Sequence, residues 1–218
     1  MESSPPLVTI RRCLYRDIDE ILPIYNHYVT DTVMSLDLDP KSQVYMLNLY
    51  DLVHSQDLPF LVATTSNDHK EEILGYAYAN YYRRLPAFGG TVKVLIYLHP
   101  DATGRGVGTQ LLNILMRMLR AVGPGTDREH GIREVLAIVP VDEGQDAALT
   151  SFFLKTGFED RGLLKGVAWK MGRWIDTRTY QRSLWEEPRD TEKAAQEKRA
   201  PDRHWWSSLF RRRRRRRA

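Results

Sequence analysis

The chain has 218 residues, of which 42% are hydrophobic, enough for one domain of ordinary size followed by a tail. No stretch approaches the roughly 18 consecutive apolar residues of a transmembrane helix, and the first residues lack the basic start and apolar run of a secretory signal. The formal net charge is +4, but without the seven arginines of residues 211–217 it is −3, which argues against a basic nucleic-acid-binding face on the folded part.

Alternating apolar residues predict a first strand over residues 7–13, which ends on the single cysteine, Cys13. A lone cysteine has no disulfide partner, and in a strand it indicates a buried, inert thiol in a reducing compartment. A cytoplasmic location is therefore expected. Asp17 is expected to cap a first helix with apolar residues at helical spacing, and Pro40 is expected to open a second helix.

Three strand-like runs follow these helices. They extend over Pro59 to Thr65, Ile73 to Tyr82 and Thr91 to Leu98. The dipeptide Asn67-Asp68 predicts a hairpin turn between the first two runs, and residues 83–90 are expected to form a loop before the third.

Three glycines at alternate positions, Gly104, Gly106 and Gly108, separate the third run from a long amphipathic helix. Glycine lets the backbone approach a ligand closely, and a helix start offers unpaired N–H groups and a positive dipole end. The spacing fits neither the dinucleotide G-x-G-x-x-G motif nor the Walker motif, which needs Gly-Lys-Ser/Thr. The turn predicts a pyrophosphate-binding site, and a glycine-rich turn without a ligand is the alternative.

The rest of the folded part alternates strands and helices. The helix from Gly106 is expected to end before Gly123, and residues 124–131 are expected to form a polar surface insertion. An inner strand, a helix and two short strands then follow, over Val135 to Val141, Asp146 to Gly157, 158–164 and 167–176. The order β, α, α, three β, α, β, α, β, β predicts a mixed-sheet α/β domain.

Several short motifs occur along this order of elements. They are Ile24-Tyr25-Asn26-His27, Gly75-Tyr76-Ala77, Thr91-Val92, Ile96-Tyr97-Leu98-His99-Pro100, Gly157-Phe158 and the segment from Trp169 to Asp176. The glycine turn carries both glycines of the pattern Gln/Arg-x-x-Gly-x-Gly/Ala, with Thr103 in the first position. Together these features resemble the GNAT superfamily of N-acetyltransferases, and within it most the phosphinothricin-acetyltransferase-like branch. The resemblance predicts a domain over residues 7–185.

The resemblance implies an α/β fold with a mixed, mostly antiparallel sheet flanked by helices, in which strands 4 and 5 splay into a V. It implies an enzyme that transfers acetyl from acetyl-CoA to a primary amine of an amino-acid-like or xenobiotic small molecule, without a metal. The pantetheine arm would lie in the V, and the N–H of Leu98 would stabilise the tetrahedral oxyanion. The implied donor-binding residues are Ile96, Tyr97, Leu98, Thr103, Gly104, Arg105, Gly106, Val107, Gly108, Thr109 and Asp146.

The chain departs from the branch at Lys93, where the branch usually carries a glutamate that deprotonates the acceptor. A lysine cation there would repel an incoming ammonium ion unless it were strongly desolvated. Further departures are Thr103 for arginine or glutamine, Asp146 for asparagine and Phe153 for histidine. Three interpretations stay open: another base or solvent, an acidic or neutral acceptor, or a degenerate member that binds CoA poorly. The last corresponds to a rival function, a non-catalytic adaptor whose tail sets its location or partner.

The candidate catalytic residues are Tyr97, Lys93 and His99. Tyr97 matches a family tyrosine, although packing would explain it equally well, and most histidines placed like His99 are solvated loop residues. The candidates for contact with the acceptor are Asn26, His27, Tyr82, Arg83 and Phe88. The first two lie on the first helix, where packing is an equal alternative, and the other three flank the loop 83–90.

The tail, residues 186–218, begins with a charged segment that has almost no large apolar groups, which predicts disorder. It ends in an aromatic cluster over residues 205–210 and the arginine run. The ending fits four interpretations: binding to anionic lipid, non-specific binding to nucleic acid, a nuclear-import signal, or no selected role. The tail therefore leaves a nuclear or membrane-associated location open. The sequence does not give the oligomeric state, and a homodimer is left open as well.

Overall fold

The structure, a computed structural model, describes residues 8–67, 70–122, 131–142, 144 and 146–184. Asp68 of the expected hairpin turn, most of the expected insertion 124–131 and the tail lie outside these residues. The strands and helices are β1 (Val8–Arg12), α1 (Ile18–Thr30), α2 (Gln43–Ser55), β2 (Phe60–Asn67), β3 (Lys70–Tyr81), β4 (Thr91–Leu98), α3 (Val107–Ala121), β5 (Glu134–Pro140), α4 (Asp146–Lys155), β6 (Glu159–Lys170) and β7 (Arg173–Ser183). Short 3₁₀ turns lie at Tyr15–Asp17, Pro86–Phe88 and Pro100–Ala102. None of the described helices is long and apolar enough to cross a membrane.

The seven strands form one sheet in the order β1-β2-β3-β4-β5-β7-β6. Every neighbouring pair is antiparallel except β4 and β5, which run parallel. The β4–β5 contact has only three register pairs, from Thr91–Glu134 to Lys93–Leu136, and beyond them the two strands no longer pair. The sheet thus confirms the predicted α/β class, the mostly antiparallel order and the splay between strands 4 and 5.

Helices cover both faces of the sheet, as neighbouring residues of β4 demonstrate. The Tyr97 ring packs against Tyr25 and Tyr28 of α1, with centroids 5.2 and 5.1 Å apart. The next side chain, Leu98, lies against Gly108 of α3, where an added Cβ would be 3.5 Å from Leu98 Cδ1. Successive strand residues point to opposite faces, so α1 and α3 lie on opposite sides of the sheet.

Asp17 and α2 differ in detail from the sequence predictions. Asp17 precedes α1 but makes no side-chain cap; its carboxylate instead accepts hydrogen bonds from the Arg11 guanidinium at 2.6 and 3.0 Å and from Leu14 N–H at 2.7 Å. The second helix begins at Gln43 and not at Pro40, because the Ser42 hydroxyl accepts from the N–H of Tyr45 and so supplies the cap.

The boundaries predicted for the last two strands are wrong. One strand, β6, runs from Glu159 to Lys170, and the chain reverses at Met171-Gly172, whose φ values are +50° and +74°. The predicted strands 158–164 and 167–176 leave a break that contains Gly166, but this glycine lies where the β6–β7 register shifts between the Leu164 and Ala168 pairs. A glycine in a strand can mark a bulge as well as a turn, and alternation alone does not distinguish the two.

Cys13 follows β1 and is buried, as expected. Burial raises the pKa of its thiol well above the usual value, so the reactive thiolate is scarce at pH 8. We expect iodoacetamide at pH 8 to leave the native chain unmodified and to add one adduct after denaturation. Intact-mass spectrometry measures both, and rapid labelling of the native chain would contradict the buried placement.

Candidate active site

The turn between β4 and α3 presents an open backbone surface shaped by two glycines. Gly104 and Gly106 have φ values of +72° and +79°, in the left-handed region that side chains disfavour. A Cβ added at either residue would meet no atom within 4 Å. Thr103 stabilises the turn, because its N–H and its hydroxyl both donate to the carbonyl of Pro100, at 3.3 and 2.9 Å.

Helix α3 begins at this turn with free N–H groups. Its N-cap residue is Gly106, so no side chain caps it, and its first turn carries no acidic residue. The earliest intrahelical bond runs from Gln110 N–H to Gly106 C=O at 3.1 Å, which leaves the N–H groups of residues 107–109 without a partner inside the helix. Exposed Arg105 adds a cation beside them. The arrangement suits a phosphate group.

The ladder between β3 and β4 decides which peptide groups of β4 face the cleft between β4 and β5. His99 N–H donates to Leu74 C=O at 2.8 Å, next to the Gly75–Leu98 register pair. Hydrogen-bonded and non-hydrogen-bonded pairs alternate along an antiparallel ladder, so Leu98 makes no hydrogen bond to Gly75. By alternation, Ile96 and Leu98 direct their N–H and C=O groups away from β3, into the cleft. Tyr97 bonds to β3 instead, so only two of the three predicted pantetheine contacts have cleft-facing peptide groups.

The opposite wall of the cleft is β5. Bonds from Leu184 N–H to Arg133 C=O at 2.7 Å and from Val141 N–H to Asp176 C=O at 2.9 Å belong to its ladder with β7. Alternation therefore directs the peptide groups of Ile138 and Pro140 toward β4, and Pro140 has no N–H. An extended molecule with amide groups can lie in the cleft and pair with the edge of β4.

Tyr97 and Lys93 lie on the face of the sheet that α1 covers. Tyr97 is buried, and burial raises the pKa of its hydroxyl. The raised pKa keeps the hydroxyl protonated at neutral pH, which argues against a general-base role for Tyr97. Lys93 is in register with Asn80 of β3 and Leu136 of β5, and it is the last residue of β4 that pairs with β5 before the two strands separate.

Comparisons with known proteins agree with this geometry. The family model described as the acetyltransferase (GNAT) family matches residues 21–158. The chain belongs to the GNAT family of acetyltransferases. It is 36% identical over 176 residues to a phosphinothricin N-acetyltransferase of Alcaligenes faecalis, covering 81% of this chain and 82% of the relative. It is 32% identical over 176 residues to an L-methionine sulfoximine/L-methionine sulfone acetyltransferase of Pseudomonas aeruginosa, covering 81% and 94%.

A solved structure supports the same assignment. A GNAT phosphinothricin acetyltransferase of Sinorhizobium meliloti, in complex with acetyl-CoA, matches with a TM-score of 0.72 and 29% identity, over 84% of this chain and 94% of that chain. The resemblance to the phosphinothricin-acetyltransferase-like branch is thereby confirmed. This GNAT chain is an acyl-CoA-dependent N-acetyltransferase. Its described residues contain no group of three or more His, Cys, Asp or Glu side chains that could hold a metal ion.

Three of the five predicted acceptor residues of this GNAT domain form one cluster after β3. The rings of Tyr82 and Phe88 lie edge to face at 5.6 Å, and the Arg83 guanidinium lies 5.3 and 5.6 Å from the two ring centres. Arg83 is exposed, and no ion pair joins it to another described residue. Its guanidinium therefore faces solvent as a donor suited to a carboxylate or a phosphinate.

The other two predicted acceptor residues make local contacts. The side chain of Asn26 donates to the carbonyl of Lys41 at 3.0 Å and accepts from its N–H at 2.7 Å. His27 Nδ1 lies 2.8 Å from the carboxylate of Asp31, one helical turn on. Asn26 thus fixes the loop between α1 and α2, and His27 stays on the exposed side of α1.

His99 and Asp146 also have local partners. His99 is exposed, and its Nδ1 accepts from Asp101 N–H at 3.3 Å in the 3₁₀ turn. Asp146 lies 3.2 Å from the guanidinium of Arg178, which also binds Asp160 at 2.6 Å. The negative charge of Asp146 is therefore offset by Arg178. Phe153, a further departure from the branch, is buried and stacks on an aromatic neighbour.

Sequence reasoning missed the residues that hold the loop between α1 and α2. The buried Lys170 ammonium donates to the carbonyls of Ser35 at 2.6 Å and Tyr28 at 3.4 Å, and desolvation lowers its pKa. Asp37, in the same loop, pairs with Lys41 at 3.1 Å. The only sequence signal was a lysine inside the matching motif from Trp169 to Asp176.

Proposed function

We propose that this acetyltransferase transfers acetyl from acetyl-CoA to the primary amine of an amino-acid-like small molecule. The observation that carries the proposal is the cleft between β4 and β5, which opens beyond Lys93–Leu136 and leads to the open glycine turn. The N–H groups of residues 105–109 would hold the pyrophosphate, and the cleft-facing peptide groups of Ile96 and Leu98 would pair with the pantetheine arm.

The contact of Leu98 with Gly108 supports a more specific placement of the donor. Leu98 lies beside the helix start, and two amide groups separate the pyrophosphate of CoA from its sulfur. The arm would therefore pass Leu98 first, and the thioester would lie deeper in the V. The N–H of Ile96 is then a better oxyanion donor than that of Leu98, the choice made from the sequence.

The acceptor would enter from the face that α1 covers. The relatives are named for phosphinothricin and for methionine sulfoximine, and these names together with exposed Arg83 support an amine that also carries an acidic group. The cluster of Tyr82, Arg83 and Phe88 would contact that group. The amine would approach the thioester near Lys93.

We propose that Lys93 activates the acceptor by charge. A cation beside an amine disfavours the ammonium form, lowers the pKa of the amine and increases its neutral, nucleophilic fraction. The proton would pass to solvent before attack. The neutral amine nitrogen then forms a C–N bond with the acetyl carbon and the C–S bond breaks, and the proton that the nitrogen loses as the amide forms is taken up by the departing CoA thiolate, directly or through solvent.

Titration calorimetry of the full chain with acetyl-CoA tests the donor. We expect one site with a dissociation constant between micromolar and millimolar, and no heat at millimolar acetyl-CoA would reject the proposal. A screen of amino acids and amines with labelled acetyl-CoA then tests the acceptor. Donor binding without turnover on any amine would favour the non-catalytic alternative.

A further inference from the structure

The hydroxyl group of Tyr28 lies at the open end of the cleft, on the peptide groups of Leu98. It donates a hydrogen bond to Leu98 C=O at 2.8 Å, and Leu98 N–H lies 3.4 Å from the same hydroxyl oxygen. Both peptide groups face the cleft, where β5 supplies no register partner. Tyr28 is therefore the group that satisfies this part of the β4 edge.

The position of this hydroxyl is fixed from several sides. The Tyr28 ring packs against Tyr97 at 5.1 Å and His27 at 5.4 Å. The Tyr28 carbonyl accepts from the hydroxyl of Thr32 at 2.9 Å and from Lys170. Burial raises the pKa of the phenol, so the hydroxyl remains a donor at neutral pH.

We infer that Tyr28 is a positioning residue for the donor, because its hydroxyl holds the Leu98 peptide in the orientation that pairs with the pantetheine arm. This inference rests on the proposed function. A carbonyl oxygen has two lone pairs, so Leu98 C=O accepts from Tyr28 and from an arm amide together. The contact from Leu98 N–H to the Tyr28 hydroxyl is long, at 3.4 Å, so this N–H can donate to the pantetheine arm instead with little loss of hydrogen-bond energy. Without the hydroxyl, the end of β4 would have to be ordered by the ligand itself.

The variant Tyr28→Phe keeps the ring and removes the hydroxyl. We expect it to weaken binding of CoA and acetyl-CoA about fivefold and to leave adenosine 3′-phosphate 5′-diphosphate unchanged, because that ligand lacks the arm. Calorimetry with the three ligands on the full chain measures these affinities. If Tyr28 only supported the fold, the variant would change the affinities of all three ligands equally or of none. The ratio of CoA affinity to adenosine 3′-phosphate 5′-diphosphate affinity therefore separates positioning of the arm from a structural role.

Tyr76→Phe is the matched control. Tyr76 is fully buried, and its ring lies 5.4 Å from that of Tyr97, which also packs against Tyr28. The Tyr76 hydroxyl has no hydrogen-bond partner among the described residues. We expect this variant to keep the ratio of CoA to adenosine 3′-phosphate 5′-diphosphate affinity. An unchanged or higher CoA affinity in Tyr28→Phe would overturn the inference, as would equal losses for all ligands. A wild-type chain that binds none of them would overturn the proposed function as well.

Discussion

Replacing Gly106 with tryptophan should reduce acetyl-CoA affinity by roughly 100-fold or more. The indole would occupy the open space before the α3 N-terminus and would block access to at least two of the N–H groups that we propose bind the pyrophosphate. Each hydrogen bond to a charged group contributes about 1.5–3 kcal/mol, so losing two accounts for this factor. Calorimetry of the folded variant with acetyl-CoA is the measurement.

The control for this substitution is Gly172→Trp. Gly172 has a φ of +74°, close to that of Gly106, and an added Cβ there also meets no atom within 4 Å, but the residue lies in the β6–β7 hairpin turn. Both variants should lose about 1–2 kcal/mol of stability from the disfavoured backbone conformation. Only Gly106→Trp should lose the donor. Unchanged acetyl-CoA affinity in folded Gly106→Trp would count against the pyrophosphate site.

Removing the charge of Lys93 should slow the reaction near neutral pH and spare it at high pH. In Lys93→Gln the acceptor amine loses its cationic neighbour, so its pKa rises and its neutral fraction at pH 7 falls. A shift of about one unit gives about a tenfold lower kcat/KM for the acceptor at pH 7. The rising limb of the pH profile should move to higher pH by the same amount, and the rates should converge above it.

The activation of the amine depends on the positive charge of Lys93 and not on the lysine side chain itself. Lys93→Arg should therefore retain most of the activity at pH 7, and the acetyl-CoA affinity of all three proteins should agree. Lys93→Glu provides the sharpest contrary result. A large gain in turnover from that carboxylate would mean that the chain lacks a base and that Lys93 is not an activating group.

The features that sequence reasoning found are those determined by local chemistry. Gly104 and Gly106 predicted an open glycine turn because only glycine adopts their backbone conformation readily, and both have positive φ. The apolar run Thr91 to Leu98 became β4 with unchanged limits. Cys13 is buried as expected from a lone cysteine in an apolar strand.

The features that sequence reasoning missed depend on partners that are distant in sequence. Tyr28 contacts Leu98, which is 70 residues away, and nothing near Tyr28 indicates that pair. Asp146 pairs with Arg178, which is 32 residues away, and only the sheet brings the two side chains together. The β6–β7 turn was misplaced because Gly166 and Gly172 look alike in sequence, and the register with β7 decides which one reverses the chain.

The three-pair contact between β4 and β5 sets a limit on engineering this protein. Substitutions that extended the pairing past Lys93–Leu136 would satisfy the peptide groups of β4 that β5 leaves unpaired and would raise the melting temperature. The same substitutions would close the cleft in which we propose that the donor lies. Thermostability and turnover therefore oppose each other at this cleft, and a more stable variant is better sought in the β6–β7 hairpin, away from the proposed donor site.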